Sequence, residues 1–382
     1  MPNRSSSSDV VVVGAGAVGL AVGWRAAQRG LRVTVIDRGE RPGTGTSSVA
    51  AGMLAPISET LATELPLTAL GLESVKRYPG FVAELTAASG MDTGYLRCGT
   101  LLAARDGDEA ESLARELEFR QTLGLSVSRL LASEARQREP ALAPTLRLAL
   151  DIPDDHAIDP RKLTAALAQA LAAAGGELRL GTAVRGVTTA HDRVTGVALA
   201  DGSAIPAENI VVAAGPWTSS LDGVPHGARI PVHPIKGQIL RLHDPAGPGM
   251  LTRVLRMTGG YLVPRGDGRY VLGATMEERG FDTTVTAGGA YDLLRNAFEL
   301  LPSVTELVID ELSAGLRPAT PDNAPAIGPG SIPGLHWAVG HYRHGILLTP
   351  ITAELVVGAL VGEGAIPDEF APARFAGVAV AA

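Results

Sequence analysis

The stretch Val10 to Arg38, VVVVGAGAVGLAVGWRAAQRGLRVTVIDR, limits the fold of this chain more than any other. Val10 to Val13 is an apolar run suited to a strand buried on both faces. Gly14, Gly16 and Gly19 follow in the pattern G-x-G-x-x-G. Ala17 to Arg29 predicts a helix that Gly30 ends. Leu31 to Ile36 predicts a second strand, with Asp37 at its end. Gly14 permits the tight turn, Gly16 lets a pyrophosphate approach the backbone, and Gly19 lets helix and strand pack closely. The helix N-terminus offers N–H groups and partial positive charge to the phosphates. The Asp37 carboxylate can accept hydrogen bonds from a ribose. A glycine-rich turn of some other α/β protein would share parts of this pattern, but not strand, glycines, helix, strand and acid in this order.

A chain of 382 residues can hold two domains or one large composite. Hydrophobic residues are 46% and charged residues 19%, which supplies a large core and argues against global disorder. A formal charge of -7 argues against a nucleic-acid partner. One cysteine, Cys98, excludes an internal disulfide framework and a cysteine-based zinc cluster, and fits a cytoplasmic location. No apolar stretch is long enough to span a bilayer. Met1 to Ser8 reads as a frayed tail rather than a signal peptide.

Small residues crowd TGTSSVAAGML, Thr44 to Leu54, where the loop leaving a second strand faces the ligand side of such a fold. Leu61 to Ser89 and Asp108 to Leu123 predict helices, Gly94 to Ala104 a strand, and Ser133 to Glu139 a short helix. Asp159 and Pro160 form an N-cap and first position for a helix over Arg161 to Ala174. Short strands follow at 177–180, 183–188, 194–199 and 204–205, then a buried strand over Ile210 to Ala214 that runs into Gly215. That strand end is either a second backbone approach to the ligand or a plain terminus. Segments 229–242, 260–264 and 269–275 read as antiparallel sheet, Ala287 to Leu300 as an amphipathic helix, and Leu307 to Leu312 as a strand crossing back. Ile346 to Leu360 reads as an apolar helix interrupted near Pro350.

TSSVAAGML, VVAAGPW, YLVPR with VLGATM, GLRPATPDNAPAIG and GHYRHGILLTP follow the N-terminal motif in this order over nearly the whole chain. The set resembles the D-amino-acid-oxidase-like flavoenzymes, and among them the glycine oxidases of thiamine biosynthesis. The resemblance implies an FAD-binding Rossmann-like α/β domain in segments 1–90, 151–228 and 313–382. A second, α+β substrate domain on an antiparallel sheet would occupy 91–150 and 229–312. It implies non-covalent FAD, since a covalent flavin in similar sarcosine oxidases needs a cysteine near Leu316 and Arg317. Gly14, Ala15, Gly16 and Gly19 would hold the pyrophosphate, Asp37 with Arg38 the ribose, and Val184 the adenine. Thr46, Ser47, Ala51, Gly52 and Met53 would line the flavin side, with Gly215 near the cofactor. His341, Tyr342, Arg343, His344, Gly345, Ile346 and Leu347 would wrap the flavin ring.

In the same resemblance Arg317, the arginine of GLRP, would bind the substrate carboxylate. Tyr261 and Met276 would border the substrate, and Arg343 would lie close to it. A planar guanidinium holds a carboxylate by two parallel hydrogen bonds and so fixes the angle of the α-carbon hydrogen, which lysine would not. An amine that arrives neutral demands no strong base. Each residue also has a plainer reading: Arg317 as an interdomain salt bridge, Tyr261 as a strand aromatic, Met276 as a gap-filler, and His341 and His344 as structural. Asp154, Asp155 and His156 are adjacent on a loop and converge poorly, so no metal is assigned. The implied activity is oxidation of glycine by FAD with O2 as acceptor, giving H2O2 and iminoglycine for the thiazole of thiamine. A sarcosine or D-amino-acid oxidase, an amine dehydrogenase with another acceptor, and a non-catalytic FAD-binding subunit are the alternatives. Homo-oligomers fit the resemblance, relatives often being tetramers.

Overall fold

Strands rich in Val and Ile sit at the centre of the first sheet because both faces are covered. β1 (Ser8–Val13) is buried over Val10–Val13 and lies between two parallel neighbours, β2 (Val33–Ile36) and β11 (Ala204–Val212). The computed structural model describes residues 8–377. The expected N-terminal tail falls outside them except for Ser8, which opens β1.

The sheet runs β17 (Ala326–Pro329), β18 (Leu335–Val339), β11, β1, β2, β8 (Glu177–Arg179). A hairpin of β9 (Val184–Ala190) and β10 (Arg193–Leu199) joins it along β11. One face is covered by α1 (Ala17–Gln28), α3 (Leu65–Ser89), α6 (Pro160–Ala173) and α8 (Thr349–Leu360), which form one apolar core with it. A Cβ on Gly19 would stand 1.9 Å from the Gly14 carbonyl oxygen, so α1 approaches the turn as closely as the spacing requires. Asp159 caps α6 by accepting the Arg161 N–H at 2.9 Å.

The second sheet is almost wholly antiparallel. Its order is β16 (Val308–Ala319), β12 (His233–His243), β15 (Arg269–Gly273), β14 (Gly260–Pro264), β13 (Val254–Met257), β4 (Thr100–Ala104), β6 (Leu148–Ile152), β5 (Ser128–Leu131). β13 and β4 alone are parallel within it. α7 (Ala287–Leu300) buries Leu293, Ala297 and Leu300 on the sheet, while α4 (Gly107–Thr122) packs beside β4 and β6. α5 (Ala132–Arg138), α2 (Thr46–Val49) and a short ribbon of β3 (Met53–Leu54) with β7 (His156–Ala157) complete the elements.

Among the boundaries that differ from the sequence reading, four are notable. β11 is one strand from Ala204 to Val212, because Pro206 does not break its pairing. β16 continues to Ala319 in the second sheet, well past residue 312, since β12 pairs with it in register from His233↔Ala319 onward. GLRP therefore lies on a strand, although its Gly and Pro suggest a loop. β6 likewise runs across residue 150. Pro350 does not interrupt α8; it occupies the first turn, where a missing N–H costs no helical bond.

Candidate active site

A cavity of about 1640 Å³ runs between the two sheets. One end is built by the turn after β1. Gly14, with φ +114°, sits so close to Ala213 that a Cβ would meet its carbonyl oxygen at 2.3 Å. Two strand ends thus present bare backbone to the same space. The N-cap of α1 is Gly16, which has no side chain to cap the helix, and no acid stands in the first turn, which leaves its positive end fit for an anion. Asp37 has a structural task as well: its carboxylate accepts the Ala15 N–H at 2.6 Å and the Gly39 N–H at 2.8 Å. The Ser47 hydroxyl accepts the Ala17 N–H at 3.0 Å. Thr46 spends its hydroxyl on the Leu316 carbonyl at 2.6 Å, tying this loop to β16.

Gly14, Gly16, Gly19, Asp37, Arg38, Thr46, Ser47, Ala51, Gly52, Met53, Val184 and Gly215 all line the cavity, as do residues 341–346. Ala15 and Leu347 do not. Ala15 is fully buried behind the turn, and Leu347 points into the core while its carbonyl accepts the Ser74 hydroxyl at 2.6 Å. Trp217, which the sequence reading did not single out, lies on the wall with the Arg38 guanidinium 3.9 Å above its ring. Phe281, from the loop between β15 and α7, stacks on its side at 6.5 Å. Buried Lys236 anchors that loop through Asp282 at 2.8 Å.

The other end of the cavity holds Arg317, Tyr261, Arg256 and Arg343. Arg317 projects from β16 over Gly237 of β12, and its Nη1 donates to the carbonyls of Thr275 at 3.1 Å and Lys236 at 3.4 Å. Among the described residues no carboxylate forms an ion pair with it, so the salt-bridge reading has no partner here. Tyr261 on β14 places its hydroxyl near that guanidinium; burial pushes the phenol pKa up and so disfavours ionisation, and Arg317 partly offsets this. Met276 is 69% exposed at the mouth, where its sulfur accepts the Tyr342 hydroxyl at 3.4 Å.

Arg343 differs in kind. Its guanidinium is committed to Glu64 at 2.5 Å and Glu59 at 3.3 Å, so it is not free to take a substrate carboxylate. Glu59, Glu64 and Arg256 escaped the sequence reading. Glu59 also meets Arg256 at 3.5 Å and His344 at 3.5 Å. Burial raises the Glu59 carboxyl, but Arg256, His344, Arg343 and Arg317 together hold it below the usual carboxylate range. Burial pushes His344 down to about 4 and His341 to about 3, so both are neutral at pH 7. The His341 Nε2 pairs with the Thr352 hydroxyl at 3.0 Å, which fits a structural part. No cluster of metal-ligating side chains is present among the described residues. None of their helices is long and apolar enough to cross a membrane.

The DAO family, FAD dependent oxidoreductase, matches residues 9–359. Glycine oxidase of Geobacillus kaustophilus is 37% identical over 350 residues, 91% of this chain and 91% of the relative. The crystal structure of glycine oxidase from that species superposes with a TM-score of 0.90 at 34% identity, covering 97% of this chain and 99% of the other. The bifunctional protein ThiO/ThiG of Synechocystis sp. is 36% identical over 377 residues, 97% of this chain, which spans about half (54%) of that relative's length. Iminodiacetate oxidase from Chelativorans sp. BNC1 superposes with a TM-score of 0.86 at 30% identity, covering 95% of this chain and 98% of the other. The bare glycine turn, the uncapped helix end and the cavity between two sheets fit the cofactor that this kinship names, and the chain belongs to the DAO family of FAD-dependent oxidoreductases.

Proposed function

We propose that this enzyme is a glycine oxidase that takes a small amino acid in the cavity beside Arg317 and uses O2 as acceptor. The observation that carries the reading is the Arg317 guanidinium, without an ion-pair partner among the described residues, in the same cavity as the glycine turn. Gly14, Gly16 and the first turn of α1 would hold the FAD pyrophosphate, Asp37 and Arg38 the ribose end, and residues 341–346 the ring. Bound FAD supplies a hydride acceptor that O2 regenerates with release of H2O2.

Arg317 binds and orients the substrate carboxylate by two parallel hydrogen bonds, and Tyr261 adds a hydroxyl to the same group. Such positioning is worth several kcal/mol of barrier, about 7–11 for well-oriented partners. The neutral histidines leave no strong base in reach, which suits an amine that arrives deprotonated. Iminoglycine so formed would feed thiazole assembly for thiamine. Sarcosine and D-alanine differ from glycine by a methyl, worth about 1–3 kcal/mol of discrimination.

The test is direct. Purified protein should be yellow with non-covalent FAD, and anaerobic glycine should bleach it. A yellow protein inert to glycine, sarcosine and D-alanine would remove the reading.

A further inference from the structure

We infer that Glu59 sets the charge selectivity of the substrate chamber, which admits amino acids carrying one carboxylate and refuses those carrying a second anionic group. This rests on the reading of the site as an amino-acid oxidase and goes beyond it to the substrate class.

Farther along the cavity Arg120 and Arg295 are paired with Glu116 and Asp292; around the substrate site three guanidinium groups face the chamber, Arg256, Arg317 and Arg343. Unopposed, they would make a site for a dianion. Two carboxylates change that. Glu64 takes Arg343 at 2.5 Å, and Glu59 lies between Arg343 at 3.3 Å and Arg256 at 3.5 Å. The remaining Arg256 contact goes to the Ser58 hydroxyl at 3.0 Å. With His344 neutral, one positive charge is left over, and it belongs to Arg317. A single substrate carboxylate with a neutral amine cancels it. A second anionic group would meet Glu59 in a partly buried site, where juxtaposed like charges are costly.

Size does not provide this selection. The cavity continues past Arg256 to Leu102, Leu113, Met257 and Thr258, space that glycine cannot fill. A neutral substituent on the amine therefore has room. Glu59 is also held in place. The buried Asp155 carboxylate accepts the N–H groups of Ile57 at 3.0 Å and Ser58 at 2.7 Å. Buried Arg120 donates to the carbonyls of Ile57 at 2.8 Å and Ser58 at 2.9 Å. The backbone that carries Glu59 is thus fixed on both sides, and the carboxylate itself is held by its contacts with Arg256 and Arg343.

The test compares two near-isosteric glycines in the holoenzyme, N-carboxymethylglycine (iminodiacetate) and its neutral counterpart N-carbamoylmethylglycine. The wild type should prefer the carbamoyl compound in kcat/KM by about 100-fold or more, Glu59→Gln should shrink that ratio about tenfold, and Glu59→Asp should restore it. Binding gives an independent readout, because flavin absorbance titrations of the wild type should show malonamate bound far more tightly than malonate. If Glu59→Gln fails to fold, these wild-type titrations decide. Equal use of the two glycines, equal binding of the two acids, or an unchanged ratio in a folded Glu59→Gln would overturn the inference. Glycine bleaching the flavin while the ratio stays near one sinks this inference alone. A flavin bleached by none of these compounds sinks the oxidase reading and this inference with it.

Discussion

The Arg317 guanidinium fills the space directly over the Cα of Gly237: a Cβ built on that glycine would stand 2.5 Å from Nη1 and 2.7 Å from Cζ. The two residues are diagonal neighbours on paired strands, with Arg317 opposite Ile235 and Gly237 opposite Gly315. A side chain at 237 would push the guanidinium off its carbonyl partners. Gly237→Ala should therefore lower kcat/KM for glycine by roughly 100-fold, the usual scale for a misplacement of about 1 Å, while FAD stays bound. Steady-state oxygen uptake beside the flavin spectrum checks this; a rate near wild type would show that the arginine needs no such space.

The packing of α1 on its turn leads to a second expectation. A methyl on Gly19 would overlap the Gly14 carbonyl at 1.9 Å. Overpacking of this kind costs about 1–3 kcal/mol. If the cost falls on the phosphate turn, Gly19→Ala should retain FAD roughly 10- to 100-fold less tightly. Flavin content after gel filtration reports it, and a fully yellow variant would contradict the assignment of that turn.

Three buried histidines set a pH dependence. Burial holds His336 at about 4, His344 at about 4 and His341 at about 3, all below the ordinary 6.5. Between the folded and ordinary values the unfolded chain binds more protons than the folded one. The stability tied to these groups is thus full above about pH 6.5 and drains as pH falls toward 4. Melting temperature should drop by about 5 °C or more between pH 7 and pH 5. His336→Gln, on β18 away from the substrate chamber, should flatten part of that slope. A melting temperature that does not change over this range would mean that the three rings take up protons without strain.

The parts that could be read from sequence are those whose causes are local. The run VVVV, the glycine spacing and the acid after VTVI specify one buried strand, one tight turn and one helix start, and the structure has each within a residue or two. GLRP drew attention to Arg317 through resemblance, yet its strand is set by β12, about 80 positions earlier, and no local pattern announces that pairing. The acids were harder still. The sequence reading gives Ser58 to Thr60 no role and begins a helix at Leu61; only the approach of Arg256 and Arg343, from distant segments, makes Glu59 part of the chamber wall and ties Glu64 to Arg343 behind it. Two glutamates within an otherwise small and apolar stretch were the one available signal. Arg343 lines the cavity, but its pairing with these acids was invisible for the same reason.

The most direct measurement is anaerobic reduction of the Arg317→Leu variant by glycine, followed at the flavin absorbance band beside the wild type. The account predicts a variant that purifies yellow and folded but is not bleached by glycine on the timescale that empties the wild-type band. Bleaching at the wild-type rate would place the carboxylate clamp elsewhere.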